Sequence, residues 1–232
     1  MYKAIGKYSQ AEELYFEAKN IVEKTKGKDN PTYATILNNM ANLYKETGRY
    51  EKAERLHNEA IVIKEKIYGK EHVEYGYSLN NLGNLCIELG NFNQAEQLFK
   101  KALIIFENKL GKENVNYLNC LVGFADFYQR IAEYGKSEYY YLQAYAVWQN
   151  LKDKNDPKYG KFINGIALLY KSIEKFEEAN NYYLQSISIL EKKEPLNQSN
   201  ELANCFNSYG NLFFEENKFN MAEAQFLNPS CS

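Results

Sequence analysis

The sequence predicts an all-α fold assembled from repeated pairs of helices. The phrase LNNMANLYKETGRYEKAE, from Leu37 to Glu54, returns 42 residues later as LNNLGNLCIELGNFNQAE. Within these phrases the apolar residues recur at spacings of three and four, which indicates amphipathic helices. The 232 residues contain only 4 prolines and are 15% aromatic, which favours long helices with ring-filled interfaces over a sheet with many turns.

The repeat continues along the whole chain. Three series of small residues keep the step of 42, with a single extra residue in the connector KKEPLNQSN, where a longer loop costs little. The series are Ala41, Gly83, Ala125, Ala167 and Gly210; Ala11, Ala53, Ala95, Ser137, Ala179 and Ala222; and Ala18, Ala60, Ala102, Ala144 and Ser186. We expect one repeat domain over 1–232: a partial repeat at 1–30, repeats at about 31–72, 73–114, 115–156 and 157–198, an incomplete repeat at 199–227 and a tail at 228–232.

A tight turn should join the two helices of each repeat. Gly48 and Gly90 stand where a left-handed residue can end the first helix. An aromatic residue follows each turn and is expected to fill the corner between the helices; these residues are Tyr50, Phe92, Tyr134, Phe176 and Phe219.

This pattern of a small residue, an aromatic three residues later, a turn and alanines seven apart resembles the tetratricopeptide repeat. Its length of 42 residues is similar to the kinesin-light-chain-like subclass. The resemblance implies a right-handed superhelical solenoid of antiparallel helix pairs that serves as a scaffold for protein–protein interaction. Cys86 replaces the usual aromatic of the second repeat, and Gly123 and Gly165 are expected to weaken helix starts.

The ends of the chain do not coincide with whole repeats. Tyr2 and Gly6 are in register with Tyr44 and Gly48, so the chain is expected to begin in the last turn of a helix, while Pro229 should stop the last one. Neither end carries the polar capping element that a solenoid normally needs. We expect either a fragment of a longer protein or ends that associate with another copy or another chain segment.

Charge and cysteine content exclude several classes of function. Lysine and arginine number 28 against 30 acidic residues and form no block, which argues against nucleic acid as a partner. No signal peptide or run of about 18 apolar residues is present, so we expect no membrane partner. The four cysteines are far apart and read as reduced thiols of a cytoplasmic protein; they are Cys86, Cys120, Cys205 and Cys231.

No catalytic, metal or cofactor motif emerges, so the chain is not expected to be an enzyme. His57 and His72 are the only histidines and have no cysteine or histidine at ligand spacing. His57 occupies the slot held by Phe99, Tyr141 and Tyr183 in later repeats, which indicates a histidine packed at an interface.

Repeated asparagines are the one candidate site. The resemblance implies that the first helix of each repeat lines a concave groove, with two positions facing it. These positions hold Asn38, Asn80, Val122, Asn164 and Asn207, and Asn42, Asn84, Asp126, Leu168 and Asn211. Asparagine is a mediocre helix former, but its amide can match both the N–H and the C=O of an extended peptide. Side chains of such a peptide would be read by Lys45, Glu46, Glu88, Gln129, Arg130 and Lys171.

Three alternatives remain open. The asparagines bind peptide, bond to adjacent helices, or face water. Val122 and Leu168 either form a hydrophobic pocket for one ligand side chain or are sequence variation without a role in binding. The chain is expected to bind an extended peptide or protein segment; the alternative is a sensor or docking fragment of a larger enzyme, such as a caspase-like peptidase or a nucleotide-binding signalling protein.

Overall fold

A computed structural model describes residues 7–151, 157–192 and 200–215, and within these ranges all regular structure is α-helical. The helices are α1 (Tyr8–Lys26), α2 (Pro31–Glu46), α3 (Tyr50–Tyr68), α4 (Val73–Glu88), α5 (Phe92–Leu110), α6 (Val115–Arg130), α7 (Tyr134–Asn150), α8 (Pro157–Ser172), α9 (Phe176–Glu191) and α10 (Asn200–Glu215). We call α2, α4, α6, α8 and α10 the A helices and the others the B helices. The predicted all-α array of helix pairs is confirmed. The predictions for Tyr2, Gly6, Phe219, Ala222, Pro229 and Cys231 fall outside the described residues.

The chain divides into two compact units, Met1–Arg130 and Ile131–Ser232, here called unit 1 and unit 2. In unit 1, α2 and α4 each pack on the B helix that follows and on the B helix that precedes, and α6 packs on the preceding B helix α5 and on α4. In unit 2, α8 packs in the same way between α7 and α9, and α10 packs on both α8 and α9. The extent of a single repeat domain over 1–232 stays a prediction.

Side chains before the A helices fix where these helices begin. Asn30 accepts a hydrogen bond from the backbone N–H of Thr32 at 2.9 Å, ahead of the proline that opens α2. His72 caps α4 in the same register, its Nδ1 accepting from the N–H of Glu74 at 3.1 Å. Such caps satisfy backbone donors that have no partner inside the helix.

The corner between the helices of a repeat uses a left-handed residue in every case described. Gly48 and Gly90 have φ of 73° and 74°, which confirms the prediction. Ala132 and Glu174 take the same place with φ of 59°, although their sequences gave no glycine to indicate it. At the first corner the N–H of Arg49 returns to the carbonyl of Tyr44 at 2.8 Å, closing the helix end.

Glycines in the middle of A helices make room for large rings on the B helices. A Cβ at Gly123 would lie 2.8 Å from Cε1 of Phe99, and one at Gly165 would lie 2.7 Å from the hydroxyl of Tyr141. Both rings are almost fully buried. The expectation that these glycines weaken helix starts is wrong, because they lie mid-helix where no larger residue fits without a shift.

A tyrosine hydroxyl ties A helices to the preceding B helix. Tyr44 donates to Glu12 at 2.8 Å, Tyr128 to Glu96 at 2.9 Å, and Tyr170 to Glu138 at 3.0 Å. Burial and the neighbouring carboxylate raise the pKa of Tyr44 and Tyr170 to about 12, so these hydroxyls keep the proton that they donate. Cys86 takes the tyrosine's place in α4 and is fully buried.

The outer face of α1 exposes apolar side chains. Leu14 and Ile21 are 52% and 54% exposed, whereas Leu56 and Ile63, their counterparts on α3, pack against residues of α2. The expected association of this end with another copy or another chain segment stays a prediction.

Candidate peptide-binding face

The A helices of unit 1 form its inner side. Helix α2 contacts α4, and α4 contacts α6, whereas among the described residues of unit 1 the B helices α3 and α5 do not contact each other. Since successive A helices are closer together than successive B helices, their solvent-facing sides line a shared surface. We call this surface the amide face; its asparagines are Asn39, Asn42, Asn80, Asn81, Asn84 and Asn119.

Three of the predicted asparagines lie half-buried on this face. Asn42 makes no side-chain hydrogen bond within the described part of the chain. Asn84 donates from Nδ2 to the backbone carbonyl of Asn80 at 3.1 Å. Asn80 has its Oδ1 enclosed by protein, with no donor for it among the described residues. The side-chain oxygens of Asn42 and Asn84 therefore keep hydrogen-bonding capacity that the fold does not use, whereas the enclosed oxygen of Asn80 is out of reach of a ligand.

Asn38 does not belong to the amide face. It is 5% exposed; its Nδ2 donates to Ser78 Oγ at 2.8 Å, and its Oδ1 lies 2.9 Å from Nδ1 of His57. The amide of Asn38 therefore joins three helices and is occupied by the fold. The prediction that Asn38 faces the groove is therefore corrected. Its side chain bonds to adjacent helices, which was one of the stated alternatives.

Three further asparagines on this side were not predicted. Asn39 and Asn119 are exposed, and Asn81 is half-buried. The signal was present in the sequence, because Asn39, Asn42 and Glu46 follow the helical spacing of three and four. The sequence pattern placed Asn38 in the groove instead of its neighbour Asn39.

Charged and polar residues follow the asparagines towards the ends of the A helices. Glu46, Glu88, Asp126 and Arg130 are exposed; Lys45 and Gln129 are half-buried. Arg130 lies 3.9 Å from Glu88, and both side chains are largely exposed. Such a pair contributes little to stability and can exchange partners readily.

In unit 2 the predicted residues lie on α8 and α10. Asn164 is half-buried, with its Oδ1 enclosed and without a donor in the described ranges. Leu168 packs against the buried cluster of α8, α9 and α10, and Lys171 is half-buried. Asn207 and Asn211 are exposed. Val122 is half-buried on α6 of unit 1, and the pocket predicted for it with Leu168 stays a prediction.

Among the described residues, His57 and the cysteines Cys86, Cys120 and Cys205 are buried in the core. His57 is fully buried, as predicted; burial lowers its pKa to about 4, and the charge of Lys45 adds to this effect. Burial raises the pKa of Cys86 and of Cys205 to about 11 and that of Cys120 further, so none of these thiols is a ready nucleophile. Across the described residues, His, Cys, Asp and Glu form no cluster of three suited to a metal ion, and no helix is long and apolar enough to span a bilayer.

Comparison with known proteins places this geometry in a family. The sequence model of the tetratricopeptide repeat matches residues 1–66, 34–108, 75–147 and 117–192. No curated protein matches the sequence.

Several solved structures share the fold at low sequence identity. The crystal structure of BtubC (BKLC) from P. vanneervenii is 18% identical, covers 98% of this chain and 88% of its own, and has a TM-score of 0.72. A putative kinesin light chain with nearly identical TPR-like repeats from Podosopora anserina is 17% identical, with 84% and 92% covered and a TM-score of 0.67. Pseudomonas aeruginosa pilF is 15% identical, with 87% and 77% covered and a TM-score of 0.59.

Proposed function

Because the chain belongs to the tetratricopeptide repeat family, whose members are general scaffolds for protein–protein interaction, we propose that it binds an extended peptide or protein segment along its A helices. The amide face of unit 1 makes the central contact. The single observation that supports this most strongly is the pair of half-buried asparagines in one register, Asn42 on α2 and Asn84 on α4, whose side-chain oxygens accept no hydrogen bond in the described part of the chain. The chain acts as a scaffold, without catalysis of its own.

The spacing of the A helices suits an extended backbone. Packed helices lie about 8–10 Å apart, and an extended chain rises about 3.3 Å per residue. Asparagines on successive A helices therefore meet a bound peptide at about every third residue. Each amide can accept from a peptide N–H and donate to a peptide C=O, which gives affinity without dependence on the peptide's sequence.

Side-chain selectivity comes from the charged ends of the A helices. Lys45 of α2 and Arg130 of α6 offer positive charge at the two ends of the face, and Glu46, Glu88 and Asp126 offer negative charge between them. A ligand carboxylate can take Arg130 from Glu88 at small cost, since that pair is long and exposed. Unit 2 has a face of its own, on which Lys171 of α8 and Asn207 and Asn211 of α10 supply contacts to a peptide bound there.

The partner in this proposal is a protein. The near balance of 28 basic and 30 acidic residues gives no continuous positive surface for a phosphate backbone. We place the chain in the cytoplasm, where buried free thiols such as Cys86, Cys120 and Cys205 stay reduced.

The test uses random 16-residue peptides displayed on phage and selected against the wild-type chain. The best peptide is then titrated calorimetrically against Asn42→Ala/Asn84→Ala. Each net hydrogen bond is worth about 1 kcal/mol, so loss of two amides is expected to weaken binding by roughly thirty-fold. Alanine is the better helix former, so the same variant should unfold at equal or higher urea concentration.

The matched control is Asn58→Ala/Asn108→Ala, which makes the same chemical change on exposed positions of the B helices α3 and α5. This control should bind the peptide as the wild type does. Equal affinity of both double variants, or loss of affinity only in the control, would exclude the amide face as the binding surface.

A further inference from the structure

Helices α2, α3 and α4 are joined by a buried chain of polar side chains. His57 of α3 lies 2.9 Å from Oδ1 of Asn38 on α2, and Nδ2 of Asn38 donates to Ser78 Oγ on α4 at 2.8 Å. Ser78 lies 3.5 Å from the backbone carbonyl of Glu74. His57 and Ser78 are 0% exposed, and Asn38 is 5% exposed, so water does not reach these hydrogen-bonded side chains.

The direction of these hydrogen bonds fixes the tautomer of the histidine. Because Asn38 presents its oxygen to the ring, Nδ1 of His57 carries the hydrogen and donates it. The other ring nitrogen, Nε2, then holds a lone pair. It is enclosed by protein and has no hydrogen-bond partner among the described residues.

A proton added at Nε2 would have nowhere to be stabilised. The imidazolium would carry a buried charge and a second N–H without an acceptor, and both are costly in a packed interior. The cost is relieved only when the ring reaches water, which requires α3 to separate from α2 and α4. We propose that His57 is a proton-sensitive joint of unit 1, which loosens the contact of α2, α3 and α4 when the ring takes up a proton.

The charged groups near His57 also disfavour protonation of its ring. On α2, Lys45 repels a positive ring, and with burial it lowers the pKa of His57 to about 4. On α4, the carboxylate of Glu74 is engaged at 2.7 Å by Lys64, a buried residue of α3. No carboxylate among the described residues is paired with the ring.

The next repeat of the same chain shows the joint without its titratable group. There Asn80 stands in the place of Asn38, Phe99 in that of His57 and Cys120 in that of Ser78. Phe99 and Cys120 are fully buried, and the amide oxygen of Asn80 stays enclosed without a donor. Phe99 fits there because Gly83 and Gly123 leave room for its ring, whereas the corresponding positions beside His57 hold Ala41 and Asn81. The variant that removes the proton site is therefore His57→Gln, whose side chain is not larger than histidine and keeps an amide N–H donor for Asn38.

The experiment measures amide hydrogen exchange of α2 to α4 at pH 7.5 and pH 5.5, corrected for the intrinsic exchange rate. The ring has a pKa of about 4 when buried and about 6.5 when exposed, so the equilibrium constant for opening should rise about tenfold when the pH falls from 7.5 to 5.5. We expect this rise in the wild type. We expect none in His57→Gln, while His72→Asn, which removes the other histidine and keeps a capping side chain, should retain it.

Helices α8 and α9 contain no histidine and serve as the internal reference. An independent readout is the nuclear magnetic resonance titration of the His57 ring in the wild type, which does not depend on any variant folding. The proposal is overturned if opening of α2 to α4 responds equally to pH in wild type and His57→Gln. It is overturned too if the ring titrates near 6.5 in the closed protein.

Discussion

At the scale of single residues, the same residue type at equivalent positions of two repeats can make different hydrogen bonds. Asn38 and Asn80 occupy the same register, yet the first amide is bonded to His57 and Ser78, while the second keeps a buried oxygen without a donor. The difference lies in residues 19 and 40 positions away from Asn38 along the chain. The local pattern alone could not distinguish a buried amide that is fully bonded from one whose oxygen is left without a donor.

Gly123 gives a second residue-scale test. A methyl group at this position would lie 2.8 Å from the ring of Phe99, itself buried. Gly123→Ala should therefore lower the free energy of unfolding by roughly 1–3 kcal/mol, the usual cost of overpacking a core.

Gly135 is the matched control for this substitution. It is a helical glycine of α7 with nothing within 4 Å of an added Cβ, so Gly135→Ala should raise stability by up to about 1 kcal/mol. Urea unfolding followed by circular dichroism measures both changes. A Gly123→Ala variant as stable as the wild type would contradict the close approach of α6 to Phe99.

At the scale of helices and turns, the corner conformation is kept where the sequence does not encode it. Glycine at the first two corners indicated a left-handed residue, and Ala132 and Glu174 adopt that conformation without glycine. The register of the flanking helices imposes it, because each turn closes the same helix end onto the next helix. Turn chemistry predicted two corners, and only the period of 42 extends the prediction to the others.

Ala132→Gly should stabilise the protein. A side chain in the left-handed region costs roughly 1–2 kcal/mol, of which the greater backbone entropy of glycine in the unfolded chain cancels part. We expect a gain of about 0.5–1 kcal/mol in the free energy of unfolding, measured by urea denaturation. The reverse change at the first corner, Gly48→Ala, should lose a similar amount; an opposite sign for both would refute the shared corner geometry.

At the scale of the whole molecule, the period of the sequence predicted the helices well and the binding surface less well. The A helices described between residues 31 and 172 begin at Pro31, Val73, Val115 and Pro157, the first residues of the predicted repeats. Repeats reveal themselves by self-similarity, because each one packs only against its neighbours. A binding surface follows from side chains that are left unpaired after packing, and that property depends on all the contacts at once.

Nuclear magnetic resonance shows directly whether the amide face binds a peptide. Side-chain amide signals of asparagine are recorded while the selected peptide is added to the labelled chain. The signals of Asn42 and Asn84 should shift and become protected from exchange, while those of Asn58 and Asn108 should stay unchanged. Shifts confined to the B-helix asparagines, with the amide face silent at saturation, would contradict it.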